Sequence, residues 1–456
     1  MTMRQTLTPT LTLLAGLLAG APMLATAETP SSSTVAVGFR GDGSGSYPDV
    51  KFTATWTPAT KPVWEIALPG WSNSSPTPMG DRVFVMSETN DGAGLNPKLL
   101  SARLYCLSAR NGSKLWEGDL VCDDPLYEEN KGLVHGGTGY TTPSPASDGK
   151  MVFAHTGKGV VAGFTLDGQR QWIKIVEKPS THYGQGPSPV CAEGKVLMLI
   201  NTTLYGLDPA TGQTLWKQTT IGTPQVGSPC RHFRDGHCCG NPRGNGTFGT
   251  PVVTTIAGRA IAITPRGDVV RVADGKLLTK LVGGAWFTSP LVKDGVVYFG
   301  NENDTRAYKL PDQIAEPFAV KELWLAEKLP VDRIYSSPTY YQGSLILKDM
   351  GNTVFVLDAA TGKQVKTFKA FGGEAEGYVS LTVVGDVLLT GGIVAYSTKD
   401  FRELGRIGVT HMGSYGIGAR LPSASPPPNR GWPICKPFAN SSLVALRPQA
   451  DGVSPS

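Results

Sequence analysis

The stretch Leu204–Trp216, LYGLDPATGQTLW, decides the fold, because the chain repeats it. In LYGLD, apolar residues alternate with small or polar ones, which is the period of two of a β-strand. DPATG predicts a turn, since Asp bonds the turn's own backbone and Gly adopts positive φ, and TLW begins a return strand. Further copies are Leu104–Trp116, Phe164–Trp172 and Phe355–Val365, with weaker ones at Val272–Leu278 and Leu443–Arg447. A hairpin repeated in this way predicts a repeat architecture.

A second repeated element precedes the hairpins: small residues, Pro, a short apolar strand, a turn and another apolar strand. Its seven copies are Ser74–Ser87, Thr141–His155, Pro187–Ile200, Gly249–Thr264, Thr288–Gly300, Ser336–Lys348 and Val379–Gly391. The two elements together supply four strands, called A to D here, about every 40–45 residues, with longer spacings where loops are inserted. This pattern predicts an all-β chain folded as a β-propeller of four-stranded blades.

The ends of the chain predict how the propeller closes. An eighth copy begins at Ser414–Leu421 and finishes at Ser442–Arg447, but it lacks its return strand. Near the N-terminus, Val63–Leu68 (VWEIAL) is a spare strand with no A to C strands before it. Pairing of the two would close an eight-bladed ring and hide both sheet edges. Seven blades are the alternative, because Pro422–Pro433 interrupts the last copy.

The first residues predict export. Met1–Ala27 contains an early Arg, an apolar run and Ala-Thr-Ala before Glu28, which is the pattern of a cleaved signal peptide. No Cys follows the apolar run, so no lipid anchor is expected, and no later segment is long and apolar enough to span a bilayer. We therefore expect a periplasmic or secreted protein with a single propeller domain over residues 28–448 and a disordered tail over residues 449–456.

Composition restricts the function classes. The chain has 56 Gly, 35 Pro and 17% charged residues, which is typical of short strands joined by many turns. A net charge of +5 without a basic cluster argues against nucleic-acid binding. Seven Cys in an exported protein permit disulfides, and the odd number leaves one thiol free, metal-bound or intermolecular.

The repeat resembles that of the pyrroloquinoline-quinone (PQQ) type propellers over nearly the whole expected mature chain. The opening residues 39–45 (FRGDGSG), followed by Thr55-Trp56 and Val63-Trp64, resemble the start of secreted bacterial members of this superfamily. The resemblance implies either of two functions. Quinoprotein dehydrogenases bind PQQ and calcium over the central channel, whereas the outer-membrane assembly lipoprotein uses the same ring as a non-catalytic scaffold. The repeat alone does not choose between them.

Unusual residues concentrate at one end of the predicted blades. The D-to-A and B-to-C connections share one end, called the loop face here, and the A-to-B and C-to-D turns share the other, called the turn face. All six histidines are expected on the loop face: His135, His155, His182, His232, His237 and His411. Neutral imidazole ligates metals or shuttles protons, and His135, His182 and His411 share the form His-x-Gly. The alternative is that solvated loops tolerate histidine without any function.

Aromatic residues form a second pattern on the loop face. They stand three residues before the A-strand Pro or its counterpart, and they are Tyr140, Phe248, Phe287, Tyr335, Tyr378 and Tyr415. Such a set could surround a planar ligand at the mouth of the channel. Packing between neighbouring blades is the alternative explanation.

A third pattern is the densest group of potential ligands, within an insertion at residues 227–246. The group comprises Cys230, His232, His237, Cys238 and Cys239. Thiolates and imidazoles suit copper(I) or zinc, although the spacing matches no zinc finger. The quinoprotein resemblance implies a second possibility, an adjacent-cysteine disulfide between Cys238 and Cys239, but here the pair lies in a different blade. A third possibility is ordinary disulfides that hold a long loop, with Cys230, Cys122 or Cys435 as partners.

Candidate catalytic groups are few. Asp332 and Arg333 precede Tyr335, and Glu374 and Glu376 precede Tyr378. An acid beside an Arg would act as a base and a partner of a quinone carbonyl, whereas the alternative is an exposed ion pair. No haem-binding Cys-x-x-Cys-His is present. We therefore predict an exported, non-catalytic propeller that binds a protein partner or small ligand on its His- and Cys-rich face. A PQQ- or metal-dependent oxidoreductase is the alternative.

Overall fold

The computed structural model describes residues 38–50, 56–57, 59, 64–68, 72–90, 100–129, 141–180, 184–220, 247–284, 287–301, 304–331, 333–372, 375–390, 394–406, 419–420 and 441–445. By its contacts the chain divides into Met1–Ser33 and Thr34–Ser456, and every described residue belongs to the second unit. Apart from a short helix, α1 (Pro125–Glu129), and a 3₁₀ turn at Ala375–Tyr378, the described elements are strands. No helix within these ranges is long and apolar enough to cross a membrane.

Two N-terminal strands, β1 (Ser46–Tyr47) and β2 (Trp64–Leu68), join sheets formed later in the chain. Six four-stranded antiparallel sheets follow, each with its strands in chain order. Sheet 1 contains β3 (Thr77–Met79), β4 (Arg82–Asn90), β5 (Leu100–Ser108) and β6 (Lys114–Asp119). Sheet 2 contains β7 (Ala146–Ser147), β8 (Met151–His155), β9 (Val160–Thr165) and β10 (Arg170–Ile175). Sheet 3 contains β11 (Val190–Ala192), β12 (Lys195–Ile200), β13 (Thr203–Leu207) and β14 (Thr214–Thr219).

Sheet 4 contains β15 (Val252–Ile256), β16 (Arg259–Ile263), β17 (Asp268–Arg271) and β18 (Leu277–Lys280). Sheet 5 contains β19 (Leu291–Lys293), β20 (Val296–Phe299), β21 (Arg306–Lys309) and β22 (Lys321–Leu325). Sheet 6 contains β23 (Thr339–Tyr341), β24 (Ser344–Lys348), β25 (Thr353–Asp358) and β26 (Gln364–Lys369). The four-stranded units predicted from the repeat are confirmed, and each of the seven A–B elements contains an antiparallel strand pair.

The two N-terminal strands, β1 and β2, pair with strands of the last two sheets. Sheet 7 contains β27 (Thr382–Val384), β28 (Val387–Thr390), β29 (Val394–Ser397) and β30 (Glu403–Arg406), and β1 pairs in parallel with β27. Sheet 8 contains β31 (Ala419–Arg420) and β32 (Ser441–Ala445). The strand β2 pairs antiparallel with β32, with Trp64 opposite Ala445 and Leu68 opposite Ser441. The N-terminal strand therefore supplies the outer strand that the last copy lacks.

The hydrophobic core lies between neighbouring sheets. Alternate residues of a B strand face opposite sides: Met198 packs with sheet 2, whereas Leu197 packs with sheet 4. Likewise Phe84 packs with sheet 2 and Val83 with β2. Because both faces of each B strand are buried, these strands are continuous apolar runs rather than alternating ones. Within the described ranges, sheets 1 to 7 pack in chain order and β2 packs on sheet 1.

The Trp and Gly of the repeated hairpin join one sheet to the next on the turn face. The Nε1–H of Trp172, in sheet 2, donates to the carbonyl oxygen of Pro209 in sheet 3 at 2.8 Å. A Cβ on Gly212 would lie 2.6 Å from the Trp172 ring, so only glycine fits beneath it. Four further pairs repeat this contact: Trp64 with Gly112, Trp116 with Gly168, Trp216 with Gly275 and Trp324 with Gly362. The repeat thus encodes contacts between sheets as well as hairpins.

A belt of hydrogen bonds joins seven sheets just before their A strands. In sheets 1 to 6, the backbone N–H of the small residue before the A-strand Pro donates to the hydroxyl of the equivalent residue in the next sheet. The belt runs through Ser75, Ser144, Ser188, Thr250, Ser289, Ser337 and Ser380. Its six donor–acceptor distances lie between 2.8 and 3.0 Å. The small hydroxyl residues of the A–B element therefore have a structural role, because they form the hydrogen bonds of this belt.

Candidate functional site

The structure describes only part of the predicted site. The following predicted residues lie outside the described ranges: His135, Tyr140, His182, Cys230, His232, His237, Cys238, Cys239, Asp332, Glu374, His411 and Tyr415. The backbone of Glu376 lies in the 3₁₀ turn, but its side chain is not described. The remaining predicted residues are Phe248, Phe287, Arg333, Tyr335 and Tyr378, and the structure brings them together.

The four aromatic residues form one continuous arc on the loop face. The rings of Phe248 and Phe287 stack, with centroids 5.4 Å apart and planes inclined by 10°. Phe287 then meets Tyr335 edge to face at 4.5 Å, and Tyr335 stacks on Tyr378 at 4.9 Å. These are ordinary distances for attractive aromatic pairs. One aromatic arc, contributed by four consecutive sheets, therefore spans the approaches to β15, β19, β23 and β27.

Each ring of the aromatic arc is placed by the repeat beneath it. Phe248, Phe287 and Tyr335 stand two residues before the belt residues Thr250, Ser289 and Ser337. The belt fixes neighbouring A strands in the same register, so side chains from the same repeat position fall next to one another. All four rings are half-buried and keep an exposed portion. Packing between blades thus accounts for the arrangement, and the exposed portions remain open to a ligand.

Arg333 extends the aromatic arc with a cationic group. Its Nη1 donates to the hydroxyl oxygen of Tyr335 at 2.9 Å, and its carbonyl oxygen accepts from the Met350 N–H at 2.8 Å. The next loop contacts the same turn, because a Cβ on Gly377 would lie 2.3 Å from the Met350 carbonyl oxygen. Gly377 therefore permits the close approach that places Tyr378 against Tyr335. Together these contacts set a guanidinium at the hydroxyl of Tyr335, whose ring stacks on that of Tyr378.

Polar residues at the ends of the B strands hold the loop-face connections, and sequence reasoning missed this role. Asn201, which follows β12, accepts from the Ser180 N–H at 2.8 Å and donates to the Glu177 carboxylate at 2.7 Å. Glu88 accepts from the Thr141 N–H at 2.9 Å, and the Asn301 side-chain amide donates to the Gly283 carbonyl at 3.2 Å. Polar residues at or just beyond the ends of the apolar B-strand runs, such as Glu88 in β4 and Asn201 after β12, were the signal available in the sequence.

His155 is the last residue of β8 and is fully buried. Its Nδ1–H donates to the Pro187 carbonyl oxygen at 2.9 Å, while Nε2 is buried without a hydrogen-bond partner. Burial lowers the pKa of His155 to about 4, because the charged imidazolium is poorly solvated there. At least this one of the six histidines has a structural role.

The cysteine predictions are only partly addressed by the described residues. Cys106, Cys122 and Cys191 are free thiols. Cys122 was a candidate disulfide partner for the loop cysteines, and the structure does not support it, because that buried residue packs with Tyr127 and Ile175 instead. Within the described ranges, no group of three or more His, Cys, Asp or Glu side chains is placed to hold a metal ion. The predicted Cys and His cluster lies outside those ranges.

Comparison with known families confirms the resemblance to PQQ-type propellers. The family model described as "Outer membrane protein assembly factor BamB" matches residues 99–313, slightly under half of the chain. The chain is 24% identical over 296 residues to "Outer membrane protein assembly factor BamB" of Moranella endobia (strain PCIT), covering 63% of this chain and 62% of the relative.

Two further relatives carry enzyme names. A "Polyvinylalcohol dehydrogenase" of Pseudomonas sp is 24% identical over 227 residues, covering 45% of this chain and 32% of the relative. A "Tetrathionate hydrolase" of Acidithiobacillus ferrooxidans (strain ATCC 23270 / DSM 14882 / CIP 104768 / NCIMB 8455) is 26% identical over 284 residues, covering 58% of this chain and 48% of the relative. The chain thus spans less than two thirds of the length of the curated relatives that it matches.

Solved structures agree on the fold. BamB from Moraxella catarrhalis superposes with a TM-score of 0.53 at 12% identity, covering 86% of this chain and 99% of that one. The quinohemoprotein alcohol dehydrogenase ADHIIG from Pseudomonas putida HK5 also gives 0.53, at 11% identity, covering 87% of this chain and 78% of that one. At these identities the likeness shows the fold alone, so scaffold and dehydrogenase both remain represented among the similar proteins.

Proposed function

We propose that this chain is an exported PQQ-repeat propeller that acts as a non-catalytic binding or scaffold protein, with its loop face as the binding surface. The observation that carries the proposal is the aromatic arc of Phe248, Phe287, Tyr335 and Tyr378. Half-exposed aromatic rings beside an arginine are the composition in which binding energy concentrates at protein interfaces. The BamB relatives support a protein partner for such a surface.

The architecture we propose for this surface is an eight-bladed ring. Eight sheets are present among the described residues, and the antiparallel pairing of β2 with β32 ties the N-terminal strand to the last sheet. Trp64 of β2 also donates to the Ala109 carbonyl oxygen of sheet 1 at 3.0 Å, the same contact that joins the other sheets. Closure between these ends hides the sheet edges of both and gives the loop face a circular rim.

We further propose a cleaved signal peptide at residues 1–27, a propeller domain at residues 28–448 and a disordered tail at residues 449–456. The names of the relatives, an outer-membrane assembly factor and two enzymes, support an exported or periplasmic location. We also propose that His135, His182, His232, His237, His411, Cys230, Cys238 and Cys239 belong to this surface, because in the sequence they precede A strands as the residues of the aromatic arc do.

Site-specific photocrosslinking in the periplasm tests the binding surface. A benzophenone side chain replaces Tyr335 in the aromatic arc, and in a matched control it replaces Leu215, which is 49% exposed on the outer strand of sheet 3. We expect a discrete crosslinked product at Tyr335 and none at Leu215, and addition of Gly377→Ala should weaken that product by displacing Tyr378. Equal products at both positions, or none at Tyr335, would contradict the proposal.

A PQQ- or metal-dependent oxidoreductase is the second candidate, favoured by Arg333 next to the aromatic rings and by the polyvinylalcohol dehydrogenase relative. The two stacked pairs of the arc, Phe248 with Phe287 and Tyr335 with Tyr378, present aromatic faces of the kind that stack on a planar quinone. A calcium site is not matched by the described residues, and the acids predicted for it, Asp332 and Glu374, lie outside them. We therefore derive no step through either group. Equilibrium dialysis of the purified protein against PQQ and Ca²⁺ separates the candidates: retained, saturable quinone absorbance would favour the oxidoreductase, and its absence the scaffold.

A further inference from the structure

The N-terminal segment Gly38–Tyr47 lies along the inner edge of sheet 7. Its strand β1 pairs in parallel with β27, and the Val383 N–H donates to the Gly45 carbonyl oxygen at 2.9 Å. The Gly385 N–H donates to the Tyr47 carbonyl oxygen at 3.0 Å. These bonds fix the segment to one sheet, so any contact that it makes with sheet 6 joins two neighbouring sheets.

The guanidinium of Arg40 makes such a contact. Arg40 is buried; its Nη1 donates to the Pro338 carbonyl oxygen, just before β23, at 2.8 Å, and its Nη2 donates to the Leu381 carbonyl oxygen, just before β27, at 3.0 Å. Nη2 also donates to the Thr339 hydroxyl at 2.6 Å, and that hydroxyl donates to the Leu381 carbonyl oxygen at 2.8 Å. Burial lowers the pKa of Arg40 to about 10, so the guanidinium stays charged near pH 7 and its hydrogen bonds are stronger than neutral ones. One charged side chain therefore fixes the separation of two neighbouring A strands.

The same two A strands carry the stacked tyrosines of the aromatic arc. Pro338 stands three residues after Tyr335, and Leu381 stands three residues after Tyr378. The belt hydrogen bond between sheets 6 and 7, at 3.0 Å, lies between the guanidinium and the rings, whose centroids are 4.9 Å apart. Three residues of extended chain span only about 10 Å, so a change in strand separation at the guanidinium moves one ring relative to the other.

The phenylalanine pair of the arc has different surroundings at the equivalent position. Phe248 is followed three residues later by Pro251. Phe287 is followed in the same way by Pro290. Both prolines line a cavity of about 200 Å³, which the N-terminal segment also lines, whereas the Arg40 guanidinium bonds to sheets 6 and 7. The tyrosine pair is therefore held by a charged clamp, and the phenylalanine pair is not.

We propose that Arg40 is a positioning residue of the loop-face binding surface, because it fixes the stacking of Tyr335 on Tyr378 through the two A strands that carry them. The phenylalanine pair does not depend on it. A partner that contacts the tyrosine rings thus depends on a buried residue that it does not touch. The inference rests on the proposed function in one respect, that the aromatic arc is the binding surface.

Fluorine NMR of the purified protein tests the inference without any partner. A 4-trifluoromethylphenylalanine replaces Tyr378, where the ring current of the stacked Tyr335 shifts its fluorine signal upfield. In a second protein the same label replaces Phe248 and reports on stacking with Phe287. The variants Tyr335→Leu and Phe287→Leu give the unstacked reference for the two labels.

The variant Arg40→Met removes the charged donors and keeps the length of the side chain. We expect the signal of the label at Tyr378 to move toward its unstacked reference, and the signal of the label at Phe248 to stay where it is. Arg40→Lys keeps a charged donor, so it should restore part of the stacked signal. An unchanged signal at Tyr378, or equal relative movement of both signals, would overturn the proposal.

The variant Gly45→Ala displaces the guanidinium without changing Arg40 itself. Gly45 has a φ of 66°, and a Cβ there would overlap the guanidinium, so this variant should reproduce the signal change of Arg40→Met. Gly212→Ala strains the turn-face contact between sheets 2 and 3 and is the control for a general loss of stability. It should move neither signal; a shift at Tyr378 as large as that of Arg40→Met would overturn the proposal.

Photocrosslinking separates this inference from the proposed function. Arg40→Met should weaken the crosslinked product formed by the benzophenone at Tyr335, and a product of unchanged yield would overturn the role of Arg40 in binding. The expected fluorine shifts in a protein that forms no crosslinked product would support the action of Arg40 on the tyrosine pair and contradict the binding surface.

Discussion

The two ends of the blades differ in how their residues make contact with the neighbouring sheet. On the turn face, one contact recurs: a Trp ring on the glycine of the next sheet, with the indole N–H donating to a nearby carbonyl. On the loop face, each connection is held by a different residue, such as Glu88, Asn201 or Asn301. The contact between Trp and Gly recurs only where both residues recur in the repeat. The loop-face contacts differ from one connection to the next, so they do not require the same residue in each repeat. The contacts on the turn face therefore stabilise the fold, whereas the residues of the loop face can vary to give binding specificity.

The largest expected effect tests the repeated contact. Gly212 has a φ of 69° and lies beneath Trp172, so Gly212→Ala adds both backbone strain and a clash. Gly194 is the matched control, with a φ of 65° and no atom within 4 Å of its Cβ position. By chemical denaturation we expect a loss of about 3 kcal/mol for Gly212→Ala and about 1 kcal/mol for Gly194→Ala. Equal losses would mean that the Trp contact contributes nothing.

The second prediction concerns the histidine that is buried at the loop-face end of β8. The pKa of His155 is about 4 in the folded state, and its ordinary value is 6.5. Between these pH values, the unfolded chain therefore binds a proton at this residue that the folded chain does not bind. The free energy of unfolding should therefore fall by about 3 kcal/mol as the pH drops from 6.5 to 4. The difference between the natural chain and His155→Leu, measured by denaturation across this range, isolates the effect. A constant difference would contradict it.

A smaller effect is expected for the belt, which lies between the two ends. Ser289→Ala removes the hydroxyl that accepts from the buried Thr250 N–H at 2.8 Å. The unpaired N–H should cost about 1–2 kcal/mol in the free energy of unfolding. Ser289→Thr keeps the hydroxyl and serves as the control, so it should lose less than Ser289→Ala. The reverse order would show that side-chain volume at this position matters more than the hydrogen bond.

The smallest effect on stability is expected at the rim of the loop face. Phe371 is 51% exposed, and the Arg406 guanidinium carbon lies 4.1 Å from its ring centroid. Phe371→Ser should change the free energy of unfolding by no more than about 0.5 kcal/mol. The crosslinking yield at Tyr335 should nevertheless fall if the loop face binds a partner. A large loss of stability would show that this rim is part of the fold.

Much of the fold was predictable because strands, turns and sheet contacts recur in the sequence. The apolar runs of the B strands and the turns recur in every complete sheet, and a Trp marks the D strand of sheets 1, 2, 3 and 5. The pairing of the spare N-terminal strand with the last copy was also predictable, and β2 (Trp64–Leu68) does pair with β32. The position of Gly38–Tyr47 along the A strands could not be predicted from the sequence. Its glycines are typical of any loop, and the hydrogen-bond partners of its Arg40, Pro338 and Leu381, lie about 300 residues away in the chain.

The site was predictable as a set of positions but not as an arrangement. Counting residues before the A-strand Pro selected Phe248, Phe287, Tyr335 and Tyr378 together, and the structure places them in contact. Their stacking geometry and the hydrogen bond of Arg333 to Tyr335 depend on the separation of neighbouring sheets, which no single segment encodes. The burial of His155 likewise could not be predicted from the sequence, because its hydrogen-bond partner Pro187 comes from the next sheet.

The sequence by itself determined the repeat unit and its four strands. These properties depend on local periodicity and turn chemistry, which adjacent residues specify. Only the tertiary structure decided that the aromatic arc is continuous, that His155 is buried and that Arg40 lies among the A strands. Each of these depends on groups from different sheets meeting in space, and the distance between sheets is set by the packed core as a whole.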